Sequence, residues 1–267
     1  MRPLRIIFSA IVIFAVAVLV AKSCVRKPEV PYRPEAARVA PRPGPAVRGR
    51  MAIILDDWGS NTARLGMAAA IGRPLTLSIL PHHAYSARIA RAARANGLGV
   101  MLHMPMQPMD PAEPREPHTI LVRSSDTEIR RLLDAALASV PGAEGVNNHQ
   151  GSAITADERV MRVFLSYVKK KGIFFIDSRV HRTSVADRIA RELKIPHAVR
   201  DVFIDNESSK EKIRLRLREA GRMARDTGEA IAIGHDRKNT LAAIKEMVPE
   251  LEKNGVRLVL VKDLLKI

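Results

Sequence analysis

The chain has 267 residues, 46% of them hydrophobic, and a formal net charge of +16. That length holds one α/β domain of about 200–250 residues with short additions, and a lone cysteine, Cys24, excludes an internal disulfide. Half of the charge, +8, sits in residues 1–50, and no nucleic-acid motif or aromatic-interleaved basic patch accompanies it. The basicity therefore points to anionic membrane lipid or an envelope polymer, and no nucleic-acid partner is expected.

Arg2 and Arg5 precede an uncharged stretch over residues 6–21, which Lys22, Arg26 and Lys27 follow. As a helix it would extend about 24 Å, slightly short of a bilayer core, with Arg5 and Lys22 able to snorkel at its ends. A signal-peptide core is the rival reading. The absence of a small-x-small site after the run favours an uncleaved anchor over residues 1–24. Lys22 stands where a lipid-attachment box ahead of Cys24 wants a small or apolar residue. The leading arginines place the N-terminus in the cytoplasm. The expected location is the periplasmic face of the inner membrane, held through residues 6–21, or the periplasm if the segment is removed. Residues 25–50 are rich in Pro and Arg without apolar periodicity, and read as an extended tether.

From Met51 onward, to residue 267, short apolar runs alternate with capped helical segments. Met51 to Leu55 ends in Asp56-Asp57, Leu75 to Leu80 in Pro81-His82-His83, and Leu98 to Leu102 in His103. Gly145-Val146 leads into Asn147-Asn148-His149, and Ile173 to Ile176 into Asp177-Ser178-Arg179. Val202 to Ile204 stops at Asp205-Asn206, and Ala230 to Ile233 at Gly234-His235; a last run covers Val256 to Val261. Continuous apolar runs of this length read as buried parallel strands. Helices are expected from Ser86 to Asn96, from the Ser125 capping box to Val140, and from Thr155 to Gly172. Others are expected from Ser184 to Pro196, from Ser208 to Gly228, and from Thr240 to Asn254 with a break near Pro249. The alternation predicts an α/β domain with about seven parallel strands. A Pro-rich stretch between Pro105 and Pro117 is too long for a tight turn and reads as a loop or lid over the active face.

In strand-helix folds the reacting groups gather at the carboxyl ends of the strands. Asp56 and Asp57 converge only if the strand bends, as Gly59 allows; one could then ligate a metal while the other activates water. The plainer alternative is that one of them caps the next helix. Asp57, His103 and His149 make a plausible facial set for a divalent ion such as zinc, with open positions for water and substrate. His235 is a candidate general acid. Arg179 is expected either to hold a carboxylate or anionic group of the site or to pair with Asp177. Asp205-Asn206 reads as a turn cap, and His82, His83, His118, His181 and His197 as surface loop residues.

Five segments taken together resemble the divergent polysaccharide deacetylase family. They are Ile54-Leu55-Asp56-Asp57-Trp58-Gly59, Leu102-His103-Met104-Pro105-Met106-Gln107-Pro108, Gly145 to Ser152, Phe175 to Arg179, and Ile233-Gly234-His235. The resemblance covers residues 51–265 in order and implies a distorted (β/α) barrel of the carbohydrate-esterase type. It implies metal-assisted removal of N-acetyl groups from an envelope carbohydrate. Asp56 then resembles the catalytic base, Asp57 and His103 resemble metal ligands, and His235 resembles the closing acid. Asp177 and Arg179 fall in a further catalytic motif. Ordinary polysaccharide deacetylases carry a second metal histidine four residues after the first, where this chain has Gln107, so His149 takes the third ligand position. Asn148, Gln107 and Ser152 are expected to contact substrate. Asp236 departs from the proline common after the closing histidine.

Two other classes compete with this reading. One is a non-catalytic envelope protein that keeps the barrel to bind a glycan or an assembly partner. The other is a hydrolase of a different ester or amide, since a fold does not fix its substrate.

Overall fold

The computed structural model describes residues 46–267. The expected anchor and the tether as far as residue 45 lie outside the described residues. Among the described residues no helix is long and apolar enough to cross a membrane.

Nine strands form one parallel sheet: β1 (Gly49–Trp58), β2 (Thr76–Ile79), β3 (Gly99–Met106), β4 (Gly145–Gln150), β5 (Phe174–Asp177), β6 (His197–Val199), β7 (Val202–Phe203), β8 (Glu229–His235) and β9 (Val256–Val259). Eight run in the order β6-β5-β4-β3-β2-β1-β8-β7, and β9 pairs with the start of β1. The sheet curls, but no ladder joins β6 to β7 among the described residues, so it is a half-barrel and not a hydrogen-bonded ring. The expected number of about seven was low because β6, three residues long, is too short to stand out as an apolar run. The first strand also begins at Gly49, two residues inside the stretch read as tether.

Eight helices cover the outside: α1 (Leu65–Ala69), α2 (Ser86–Ala95), α3 (Asp126–Ser139), α4 (Ser152–Ala156), α5 (Glu158–Lys171), α6 (Ala186–Glu192), α7 (Lys210–Thr227) and α8 (Lys238–Lys253). Their starts follow local chemistry. Ser125 accepts a hydrogen bond from Glu128 N, as the capping box predicts. Asp157 caps α5 through Val160 N, which splits the helix expected from Thr155 into α4 and α5. Ser209, not Ser208, caps α7. Gly172 and Gly228 end α5 and α7 in the left-handed conformation that a side chain resists. Pro249 lies within α8 without ending it.

Strand parity divides the core into two layers. Met51, Ile53, Leu55, Leu77, Ile79, Val100, Leu102, Val146 and Phe175 face the helices. Ala52, Ile54, Met101, Ile176, Ile231 and Ile233 fill the inside of the curl. Successive side chains on a strand alternate between faces, so the inward rows continue to Asp56 on β1, His103 on β3, Asn147 on β4 and His235 on β8. The apolar rows, each large side chain worth about 1.5–3 kcal/mol on burial, thus form a floor beneath the polar ends.

Candidate metal centre

Two adjacent carboxylates reach one site because β1 changes register. It pairs with β8 residue for residue as far as Asp56 opposite His235, while its pairing with β2 shifts between Leu55 and Trp58. Asp57 lies in that shift at φ 65°, a left-handed conformation that costs an L-residue about 1–2 kcal/mol and that Asp tolerates better than most. Gln150 (φ 52°) and Arg179 (φ 48°), at the ends of β4 and β5, are held the same way. Strain of this kind collects where a site fixes its groups. Gly59 follows at φ 145°, where a Cβ would lie 3.1 Å from that of His83, so the turn out of β1 requires glycine.

Three atoms from three strands meet here. Asp57 Oδ1 is 3.3 Å from His103 Nε2 and 3.2 Å from His149 Nδ1, and the two histidine nitrogens are 3.1 Å apart. Among the described residues these are the only three groups of metal-binding type found close enough to share one ion. A tetrahedral zinc with bonds of about 2.0–2.1 Å separates its ligands by about 3.3–3.4 Å, so the triangle fits. Asp57 Oδ1 is buried yet receives no hydrogen bond. A buried carboxylate oxygen without a donor requires a cation or a proton to offset its desolvation. Burial works against ionisation of Asp57, but the facing imidazoles of His103 and His149 outweigh it and hold the carboxyl well below its usual range. For His103, burial opposes protonation while Asp56 and Asp57 favour it, and the balance raises its pKa to about 9.

Beside the trio lies Asp56, 2% exposed, with Oδ2 3.7 Å from His103 Nε2. Burial lifts its carboxyl above the ordinary range, against the opposing pull of His103 and His235. Asn147 Nδ2 donates to it at 3.0 and 3.3 Å. Across the site, His235 Nε2 is 4.0 Å from Asp57 Oδ2, and its Nδ1 is 2.7 Å from Asp205 Oδ1. Asp205 is fully buried and also accepts from His235 N (2.8 Å) and Thr240 Oγ1 (2.7 Å). Burial opposes protonation of His235, but the Asp205 carboxylate prevails and its pKa is raised. Phe203 stacks parallel to the His235 ring with centroids 6.1 Å apart.

These groups open into a cleft of about 280 Å³, whose lining includes Asp56, Asp57, His103, Asn148, His149, Ser152, Ser178, Phe203 and His235. Of the residues expected to touch substrate, Asn148 and Ser152 line it. Gln107 does not: its Oε1 accepts from Val122 N and its backbone oxygen from Ala153 N, which pins the Pro-rich loop over residues 107–119. That loop is tied down further by Glu116 on His83 (3.0 Å) and presents Glu113 to the cleft. Asp177 and Arg179 stay apart from the trio. Parity turns Asp177 to the helix side, where it accepts from Ser184 Oγ and Arg179 N, and the Arg179 side chain is exposed. Arg64 clamps Asp236 with two bonds of 2.6 and 2.9 Å, tying the β8 turn to the loop after β1.

Two expectations are corrected. Asp205 is the buried partner of His235, not a turn cap, a role that only the alignment of β7 with β8 creates. His197 is not a surface residue; it is buried on β6, with Nδ1 on Ile195 O and Nε2 3.2 Å from Asp187. Ser78 carried no distinguishing signal in the chain beyond its inward parity, and Asn147, though it stands at the end of the Gly145-Val146 run, was assigned no role.

A curled parallel α/β sheet carrying an Asp/His/His trio at its strand ends defines a protein with the polysaccharide deacetylase fold. The model of the family described as divergent polysaccharide deacetylase matches residues 53–265, and the chain belongs to that family. A relative from Haemophilus influenzae, described as an uncharacterized protein, is 32% identical over 198 residues, covering 74% of this chain and 70% of its own. Among solved structures, the uncharacterized protein ATU2773 from Agrobacterium tumefaciens C58 superposes with a TM-score of 0.78 at 24% identity, over 83% of this chain and 91% of that one. The Bc1960 peptidoglycan N-acetylglucosamine deacetylase, solved with a hydroxamate-type benzamide, shares the fold with a TM-score of 0.54 at 12% identity, over 82% and 89% of the two chains.

Proposed function

We propose that this protein is a metal-dependent hydrolase that removes N-acetyl groups from an envelope carbohydrate, working at the periplasmic face of the inner membrane to which residues 6–21 anchor it. The reading rests above all on the convergence of Asp57 Oδ1, His103 Nε2 and His149 Nδ1 within 3.1–3.3 Å of one another beside a buried second carboxylate. Three protein ligands with open positions are the pattern of catalytic zinc, whereas structural sites use four. Gln107, directed at Val122, does not close the set.

Asp57, His103 and His149 would hold the ion, which when bound polarises an acyl carbonyl and lowers the pKa of water. Asp56 is the group we assign to take the proton of the attacking water: it is buried, burial raises its pKa above the usual carboxyl range, and it lies against the trio. His235 faces the same space from β8 and is placed to protonate the departing amine, because Asp205 fixes its Nδ1 and leaves Nε2 toward the cleft. Phe203 and Val180 give the cleft its apolar walls, and sugar rings pack on such faces. Asp56 and His235 are register partners on the neighbouring strands β1 and β8, so base and acid present themselves side by side at the edge of the trio.

The test is acetate release from N-acetylated amino-sugar oligomers by the protein stripped of metal and then given zinc. Release that appears only on zinc addition is the expected result. A zinc-loaded protein that releases none from any such substrate removes the proposal.

A further inference from the structure

One amide group makes more hydrogen bonds than any other side chain of the centre. Asn147 is fully buried on β4, opposite His103 in the register with β3. Its Oδ1 lies 2.8 Å from His103 Nδ1 and accepts from Ser78 Oγ at 2.5 Å. Its Nδ2 donates to Asp56 and, at 3.2 Å, to Ser178 Oγ. Ser178 in turn donates to Asn148 O at 3.0 Å.

The contacts on Asp56 set which end of the amide faces which neighbour. Both oxygens of Asp56 lie within reach of one and the same Asn147 atom, at 3.0 and 3.3 Å, which is the contact of an NH₂ shared between two carboxyl oxygens. The other atom is then the carbonyl oxygen, which accepts from Ser78, cannot donate, and lies 2.8 Å from His103 Nδ1, where a bare nitrogen would set lone pair against lone pair. His103 Nδ1 must therefore carry hydrogen. In a neutral imidazole the proton on Nδ1 leaves Nε2 bare, and Nε2 is the atom facing Asp57 and His149.

From this we infer that Asn147 is a positioning residue that couples the two halves of the site, fixing the metal-ready nitrogen of His103 with one end of its amide and aiming Asp56 with the other. The carboxylate sets the amide, the amide sets the imidazole, and the imidazole presents its lone pair. Outer partners of ligating histidines do this generally, and their loss costs about 10–100-fold in metal affinity. Here the same side chain also serves the proton acceptor. The inference rests on the metal-centre reading, and its test does not depend on turnover.

Zinc affinity is read by competition with a chromophoric chelator at fixed pH, alongside circular dichroism as a check on folding. Asn147→Ala removes both ends of the amide and is expected to weaken zinc binding about 10–100-fold. The exchange Asp56→Asn with Asn147→Asp reverses donor and acceptor between the two positions while keeping an oxygen for His103 Nδ1. It is expected to bind zinc at least as tightly as wild type and to release no acetate. A merely structural asparagine would give affinities that follow thermal stability, with the exchange no better than Asn147→Ala. Folded Asn147→Ala binding zinc like wild type overturns the inference, as does an exchange variant as weak as the alanine, or a wild type that takes up no zinc. A wild type that binds zinc but releases no acetate sinks the deacetylase reading instead, and the order of affinities still decides the role of Asn147.

Discussion

The strand ends and the outer helical shell use the same residue types for opposite purposes. On the shell, Arg162, Arg188, Glu158 and Glu192 of α5 and α6 form an exposed ion-pair network at 2.7–3.0 Å. Water screens each member, and such pairs add little to stability. At the strand ends, Asp56, His103 and Asp205 are almost wholly buried, and each charge exists only because named neighbours offset its desolvation. The contrast teaches that charge alone marks nothing in a chain with 27% charged residues. Burial with few, specific partners is what separates a site from a solvated face.

The sharpest way to break that contrast is to remove groups from the buried set one at a time. His103→Ala is expected to abolish both bound zinc and acetate release, whereas Asp56→Asn should keep the zinc and lose about 10²–10⁴-fold in kcat. Metal analysis beside kinetics checks both. Equal loss of zinc in the two variants would mean that Asp56 is a ligand and not a proton acceptor.

Next in size is a pH effect that the shell should not show. The pKa of His103 is raised to about 9 in the metal-free protein, above its value of about 6.5 in an unfolded chain. Its protonation therefore stabilises the fold fully below about pH 6.5, and that contribution is lost as pH rises through 9. The denaturation midpoint of metal-free protein should fall across this window. Zinc competes with the proton, so its apparent affinity should climb over the same range. A flat affinity between pH 6.5 and 9 would show that no proton is displaced from His103.

The smallest effect belongs to the shell itself. Glu158→Gln breaks two exposed pairs and is expected to move the melting temperature by less than about 2 °C, as scanning calorimetry would read it. A larger shift would mean that the network on α5 and α6 is more than a solvated face.

Much of this molecule was legible along the chain. Continuous apolar runs forecast β1 to β5 and β7 to β9, and the capping box at Ser125 and the glycines at 172 and 228 placed helix ends, because these signals are local. Asp56, Asp57, His103, His149 and His235 stood out as polar groups at the ends of such runs. Other features were less legible. Strand parity, readable in principle, sets Asp177 on the helix side. The exposure of Arg179 and the hydrogen bond between Val122 and Gln107 depend on a turn and a loop whose conformations no periodicity encodes.

What the residues alone determined is every strand but β6, the end of each that carries chemistry, and the membership of the family. What tertiary structure decided is the company those residues keep. The bulge at Asp57 turned two neighbours toward one point, the alignment of β7 with β8 set Asp205 behind His235, and the register of β3 on β4 put Asn147 between His103 and Asp56. Propensity and pattern act over a few residues, whereas a hydrogen bond between positions 91 apart in the chain, such as that from Asn147 to Asp56, exists only once the sheet has fixed which strand lies beside which.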